Sequence, residues 1–270
     1  PVRQRGTLGA LIGISQMLGT VLGAAIVTVL VTQVPAGYLT CALILLGCAA
    51  LFTLRTPDDP LPREFRPGGT IGRALRGLWV SPRQHPDFGW AWVTHCLINL
   101  GNDLGTLYLL YFLADDAHYH DPQAGLLILM AAYAVALLVA GAACGAASDR
   151  SGRRKPFVIG SAVVMAVAAA TLVISPTWDA ALAAAPLLGA GFGTYWAAAP
   201  ALLTQVLPAA TDRGKDLGLI NIGYAFPLVL APLIAGVVLG LMNSYPALFA
   251  LAGLVTVGGG VTVAQIRSVE

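Results

Sequence analysis

One stretch of the chain gathers its chemistry on a single helical face. At 100° per residue, His95, Asn99, Asn102, Asp103 and Thr106 fall within an arc of about 100°, with Leu97, Leu100, Leu104 and Leu107 opposite. A carboxylate can take up and release a proton or hold a cation, and an imidazole exchanges protons near neutral pH. Asp103, with His95 as a relay, is therefore a candidate for coupling to a proton or a solute. The same residues can also be read as a structural hydrogen-bond knot of Asn99, Asn102 and Asp103, and both readings stay open. The stripe lies inside an apolar run, where an ionised carboxylate costs about 2.5–3.5 kcal/mol on insertion scales. Asp103 must be protonated, solvated by a cavity or partnered, and its face must look into a cavity or onto partner helices.

Two further patterns imitate sites. Asp115, Asp116, His118, His120 and Asp121 could ligate a divalent metal, as in an integral-membrane metal-dependent enzyme. Such enzymes need basic partners for an anionic substrate, and this cluster has no Lys or Arg nearby and no second copy, so a solvated loop is expected. Gly189, Gly191 and Gly193 imitate a nucleotide loop but follow no strand and sit in an apolar run, where close helix packing is the expected role. Cys41, Cys48, Cys96 and Cys144 each lie in an apolar run without metal-ligand spacing and are expected to be buried small hydrophobes. Neither metal nor cofactor is expected, and no enzymatic activity.

The elements that must hold these residues follow from composition. Of 270 residues 57% are hydrophobic and 10% charged, whereas water-soluble domains carry about a quarter charged residues. A soluble fold is excluded, and a net charge of +2 spread over short basic clusters gives no surface for nucleic acid. A bilayer core about 30 Å thick takes roughly 20 apolar residues as a helix, and runs of that length without period-2 alternation predict an all-α membrane bundle. Eight helices are expected, over residues 8–31, 38–54, 89–113, 124–147, 156–175, 180–207, 217–241 and 247–263. The lipid bilayer is the first partner.

All 15 Lys and Arg fall before the first run, in alternate connections or, for Arg267, after the last run. The charge rule then puts these connections and both termini on the cytoplasmic side of a cytoplasmic membrane. Residues 55–88, with Pro57, Pro60, Pro62, Pro67, Pro82 and Pro86 among six arginines, read as a cytoplasmic linker that separates two helices from six. Ile71, Leu75 and Leu78 within it share a helical face suited to the membrane interface. Self-comparison at a shift of 208 aligns Arg5-Gly6, Leu11, Ile12 and Ile14 with Arg213-Gly214, Leu219, Ile220 and Ile222. The repeat pairs the first helix with the seventh, as in two parallel six-helix halves. On that reading residues 1–54 hold the last two helices of a first half whose first four are missing, and residues 89–270 form the second half.

After the fourth run Gly145, Asp149, Arg150, Gly152, Arg153, Arg154 and Lys155 spell G-x-x-x-D-R-x-G-R-R-K. A positive-inside loop explains the arginines but not the D-R-x-G order. Asp149 could cap a helix N-terminus or pair with Arg153, and Gly145 allows close helix approach. The pattern resembles the loop signature of the major facilitator superfamily, found between the second and third helices and echoed between the eighth and ninth. The resemblance implies a bundle with eight of twelve expected helices present. It further implies a gate in which Asp149 lies near Arg5 to Thr7, and transport of a small solute by alternating access between two halves, which this chain alone is expected not to complete.

Within the family, NLGNDLGTLYLLYFL and RGKDLGLINIGYAFPLVLAP look like bacterial sugar-cation symporter-like members, which implies proton- or cation-coupled uptake of a sugar-like solute. Efflux of drugs or metabolites by antiport is the alternative, disfavoured because Gly19 is followed by Thr20 and not by the proline of such antiporters. Further candidates for the cavity wall are Gln16, Tyr133, Tyr195, Trp196, Asn221 and Tyr224, since aromatic and amide side chains together suit sugars or amphipathic solutes. Hydrogen bonding between helices would explain each singly. Pro227 and Pro232 should kink the seventh helix.

Overall fold

The computed structural model describes residues 19, 22–23, 34–56, 85–206 and 213–267. Gln16, the partner segment Arg5 to Thr7, and almost all of the first helix and of the linker lie outside these residues. The chain separates into two units, Pro1–Gly68 and Gly69–Glu270. In the first, α1 (Val34–Arg55) exposes apolar side chains along most of its length. Cys41 and Cys48 are exposed on it, contrary to the expected burial. In hydrocarbon a thiol gains little by leaving the surface, so burial does not sort such residues.

The second unit holds α2 (Pro86–Thr106), α3 (Leu109–Asp115), α4 (Pro122–Ser151), α5 (Lys155–Ile174), α6 (Trp178–Gln205), α7 (Arg213–Met242) and α8 (Tyr245–Val263). All regular structure among the described residues is helical. Among the described residues six stretches are long and apolar enough to cross a membrane: Ala36–Arg55, Pro86–Asp115, Pro122–Ser151, Lys155–Ile174, Gly218–Met242 and Tyr245–Val263. The sixth expected span, now α6, does not reach that apolarity although it has 28 residues. Its Gly, Pro, Tyr and Trp residues dilute the aliphatic content, and its neighbours bury much of it.

Local chemistry sets the helix ends. Asp121, Thr177 and Ser244 accept the backbone N–H of Ala124, Ala180 and Ala247 at 3.1, 3.4 and 3.3 Å, and so cap α4, α6 and α8 at one end of the bundle. There Tyr119 stacks on Trp178 at 4.1 Å and Tyr245 donates to Asp115 at 2.6 Å. At the other end α2 and α5 start with a proline in the first turn, where its missing N–H is harmless. The expected third span is broken between α2 and α3. The ladder runs one step past Asn102, with the Leu107 N–H on the Asp103 carbonyl at 3.0 Å, and Tyr108 then leaves the helical conformation with φ −106° and ψ 7°.

Packing inside the unit relies on missing side chains, as it must where lipid is as apolar as leucine. A Cβ at Gly189 or Gly193 of α6 would overlap the backbone of Tyr133 or Leu137 on α4, and one at Gly191 would meet Met165 and the Ser161 carbonyl on α5. On α8, Gly259 fits against Ile98 of α2 and Gly260 against Ala162 of α5, while Gly101 of α2 receives Thr256. Large aliphatic residues point outward instead, as along Val229, Leu233 and Val237 of α7. Helix α7 runs unbroken through Pro227 and Pro232. Among its described glycines only Gly223 approaches a neighbour, the rings of Trp92 and His95, whereas Gly218, Gly236 and Gly240 meet nothing within 4 Å.

Candidate functional site

The polar stripe of α2 is buried inside the second unit: Asn99 is 1% exposed, His95 4%, Asn102 6% and Asp103 9%. The opposite face is buried as well, with Leu100 and Leu104 packed against Ala231, Ala235 and Leu248 of α7 and α8. Helix α2 is thus enclosed on two sides at Leu100 and Leu104, whereas Leu97 is half-buried and Leu107, just past its end, is exposed.

The side-chain bonds of the stripe can be followed atom by atom. His95 Nδ1 and the Tyr195 hydroxyl of α6 lie 2.5 Å apart, and the Asn99 amide nitrogen stands 3.3 Å from the same Nδ1. An amide nitrogen can only donate, so Nδ1 is the acceptor and the ring proton belongs on Nε2. The Asn99 nitrogen also donates to the His95 carbonyl at 2.7 Å, which fixes the orientation of the amide. With the nitrogen held there, Asn99 Oδ1 faces away and has no partner, although it is buried. The Tyr133 hydroxyl of α4 donates to Asn102 Oδ1 at 3.1 Å, leaving the Asn102 nitrogen for the Asp103 carboxyl beside it. Tyr133 also lies within electrostatic range of Asp103 and Tyr224.

Aromatic rings flank this network. Trp196 meets the His95 ring edge-on at 6.5 Å and the Tyr224 ring at 5.6 Å, and Phe192 packs against both Tyr195 and Trp196. Of the residues expected in a cavity wall, His95, Asn99, Asn102, Asp103, Tyr133, Tyr195, Trp196 and Tyr224 come together here. Thr106 faces back to its own helix, Asn221 lies exposed on α7, and Gln16 is not among the described residues. Sequence reasoning missed Trp92, whose Nε1 donates to the Leu219 carbonyl at 2.8 Å and ties α2 to α7. It stands three residues before His95, so extending the helical period by one turn would have found it. Phe192 was missed because nothing in its own type separates it from the apolar run around it.

The basic motif adopts a different geometry from the expected one. Gly145, Asp149 and Arg150 belong to the last turns of α4, which ends at Gly152 with φ +69°, a conformation that suits glycine. Asp149 pairs with Arg154 at 2.8 Å, not with Arg153, and caps no helix start. Arg154 can reach it because its guanidinium folds back over the turn to donate to Ser148 at 2.6 Å. Gly145 makes an ordinary contact with Ala197, since a Cβ there would stand 3.4 Å from the Ala197 methyl. The closer approach lies one turn earlier, where Gly141 faces the Gly193 carbonyl.

In the loop at the other end, Asp115 serves Tyr245 and Asp121 serves the α4 cap. No three His, Cys, Asp or Glu among the described residues are grouped to hold a metal ion.

No curated protein matches the chain. The family profile described as Major Facilitator Superfamily matches residues 103–267, from the buried carboxylate of α2 to the end of α8. That match agrees with a helical bundle rich in membrane-length apolar segments, with a D-R-x-G turn at the end of α4 and a polar cluster at membrane depth. Members of this family are carriers rather than enzymes, and they work on small molecules within a lipid bilayer. The chain belongs to the Major Facilitator Superfamily, as a multi-pass membrane protein of solute transport.

Proposed function

We propose that the chain acts in secondary active uptake of a sugar-like solute by alternating access, with solute or coupling ion meeting the polar face of α2 and Asp103 as the coupling carboxylate. The observation that carries this reading is a carboxylate held at membrane depth beside amides, two of whose neighbours, Trp196 and Tyr224, present aromatic surface. Amides hydrogen-bond hydroxyl groups, and aromatic faces cover the apolar side of a sugar ring. Residues 1–54 belong in this reading to the end of a first half, residues 55–88 to the linker and residues 89–270 to the second half. The turn at Gly145, Asp149, Arg150, Gly152, Arg153 and Arg154 serves the gate. The one-sided distribution of Lys and Arg supports a cytoplasmic membrane with both termini inside.

Because this reading gives residues 1–54 only the end of a first half, the proposal is tested in vesicles reconstituted with the chain joined to a complete first half, under an imposed pH gradient. Uptake of a labelled monosaccharide should follow the gradient and should be lost in Asp103→Asn, with elution and helical content unchanged. Unchanged uptake in that variant would refute coupling at Asp103. A second reading, efflux by exchange with protons, is favoured by the aromatic rings Phe192, Trp196 and Tyr224 beside the stripe, which suit amphipathic solutes. It predicts that an outward solute gradient drives protons inward.

A further inference from the structure

The hydrogen-bond ledger of α2 is one-sided. Its amide and phenol donors are engaged within the protein: the Asn99 nitrogen by the His95 carbonyl, the Asn102 nitrogen by Asp103, and the Tyr133 and Tyr195 hydroxyls by Asn102 and His95. What remains beside the His95 Nε2–H is acceptor capacity. Asn99 Oδ1 is buried without a partner, and the Asp103 carboxylate, one helical turn further along the same face, has acceptor positions beyond the one Asn102 fills. A buried acceptor left open is a defect in a structural knot and an invitation in a binding site.

Charge points the same way. No Lys or Arg occurs in residues 84–149, 156–212 or 216–266, so the fixed cations of α4, α5 and α7 stand only in their end turns, at Arg150, Lys155, Arg213 and Lys215, and none lies in α2 with Asp103. The capped end of the bundle carries Asp115, Asp116, Asp121 and Asp179 and again no Lys or Arg. The Tyr119 and Trp178 stack and the Tyr245 to Asp115 bond hold these segments at one end. An acidic rim above an acidic interior raises the local concentration of cations and repels anions.

We propose that the solute bound against α2 is an organic ammonium cation, its N–H groups received by Asp103 and Asn99 Oδ1 and its body lying against Trp196 and Tyr224. The inference rests on the reading of the α2 face as the solute site, and it narrows a sugar-like solute to one that bears an amine. An ammonium group supplies only donors, which matches what the face lacks, and aromatic walls favour cations over neutral groups of equal size.

The test compares amines with their N-acetylated counterparts, which keep the shape and lose the charge. Glucosamine against N-acetylglucosamine and tyramine against N-acetyltyramine would be titrated into the purified protein, following its tryptophan fluorescence and thermal midpoint at matched ionic strength. The expected result is saturable binding of at least one amine, at least tenfold tighter than its acetylated partner, with the preference abolished in Asp103→Asn and partly kept in Asp103→Glu. Asn99→Leu should weaken the amine and leave the midpoint without ligand unchanged. Neutralising the rim with Asp116→Asn should weaken the amine at low salt only. Equal binding of amine and acetylated partner, no saturable binding of either amine, or an intact preference in Asp103→Asn would overturn the proposal. Gradient-driven uptake of a neutral monosaccharide without amine binding would remove this inference and keep the transport reading. Loss of both removes the two together.

Discussion

Two interiors sit side by side in the second unit, and they are built on opposite principles. Along the seams of α6 with α4 and α5, and of α8 with α2 and α5, glycines remove side chains until backbone meets backbone. Around His95, Asn99 and Asp103 polar side chains are kept, each hydrogen bond depends on its neighbours, and one acceptor is left open. The seam gains from every contact and has no spare capacity. The cluster holds spare capacity at some expense in stability. In a bilayer, where apolar burial cannot sort helices, the first arrangement specifies the fold and the second leaves a buried acceptor unfilled.

The contrast can be broken most severely at the seam. Overpacking against a yielding neighbour costs about 1–3 kcal/mol, and at Gly193 the neighbour is the Leu137 backbone, which yields little. Gly193→Leu should abolish monodisperse protein on size exclusion, and Gly193→Ala should lower the thermal midpoint. Gly240→Ala, in open space on α7, should keep or raise it, by about 0.5–1 kcal/mol of helix preference. At the cluster the large effect falls on transport. Asp103→Asn should reduce gradient-driven uptake by about 5–150-fold, the range of a coupling energy of about 1–3 kcal/mol, while the midpoint in detergent holds or rises because no charge remains buried.

Smaller effects separate the hydrogen bonds from one another. Tyr195→Phe removes one partner of His95 Nδ1 and should lower stability by about 0.6 kcal/mol, the mean for such bonds between membrane helices, measured as a midpoint shift. Asn99→Leu should change stability by less than about 1 kcal/mol, because an apolar group of similar size replaces an amide that was only half satisfied. Ligand binding should nevertheless fall. A large destabilisation by Asn99→Leu would assign the cluster to structure and erase the contrast.

Much of the fold was legible because the membrane constrains it. A run of roughly 20 apolar residues must be helical, so α4, α5, α7 and α8 appear within a few residues of their expected limits. The helical period placed His95, Asn99, Asn102 and Asp103 on one face, and the structure agrees. Tertiary choices were not legible. Nothing in the sequence says that Arg154 rather than Arg153 meets Asp149, because a left-handed turn at Gly152 decides it. The break after Thr106 comes where Tyr108 leaves the helical conformation, with no proline or glycine at 107–109 to announce it. Asn221 shares residue type with Asn99 and Asn102, yet it faces out, since polarity alone does not tell which side of α7 meets α2.

The glycines of α7 carry a mechanical consequence. From α4 through α6, α5 and α8 to α2, each neighbouring pair is keyed by a glycine set into its partner, so sliding by one residue would drive a side chain into a backbone. These helices behave as one stiff block. Helix α7 rides on that block over side chains, the Trp92 indole and the leucines of α2, with two prolines in its length. Among the described residues it lacks the backbone-to-backbone seams of the block, and its one close glycine, Gly223, sits against the Trp92 and His95 rings. A roll of α7 would carry Tyr224 across Trp196 and shift the Leu219 anchor of Trp92, so that the ring wall beside His95 opens and closes with the angle of a single helix.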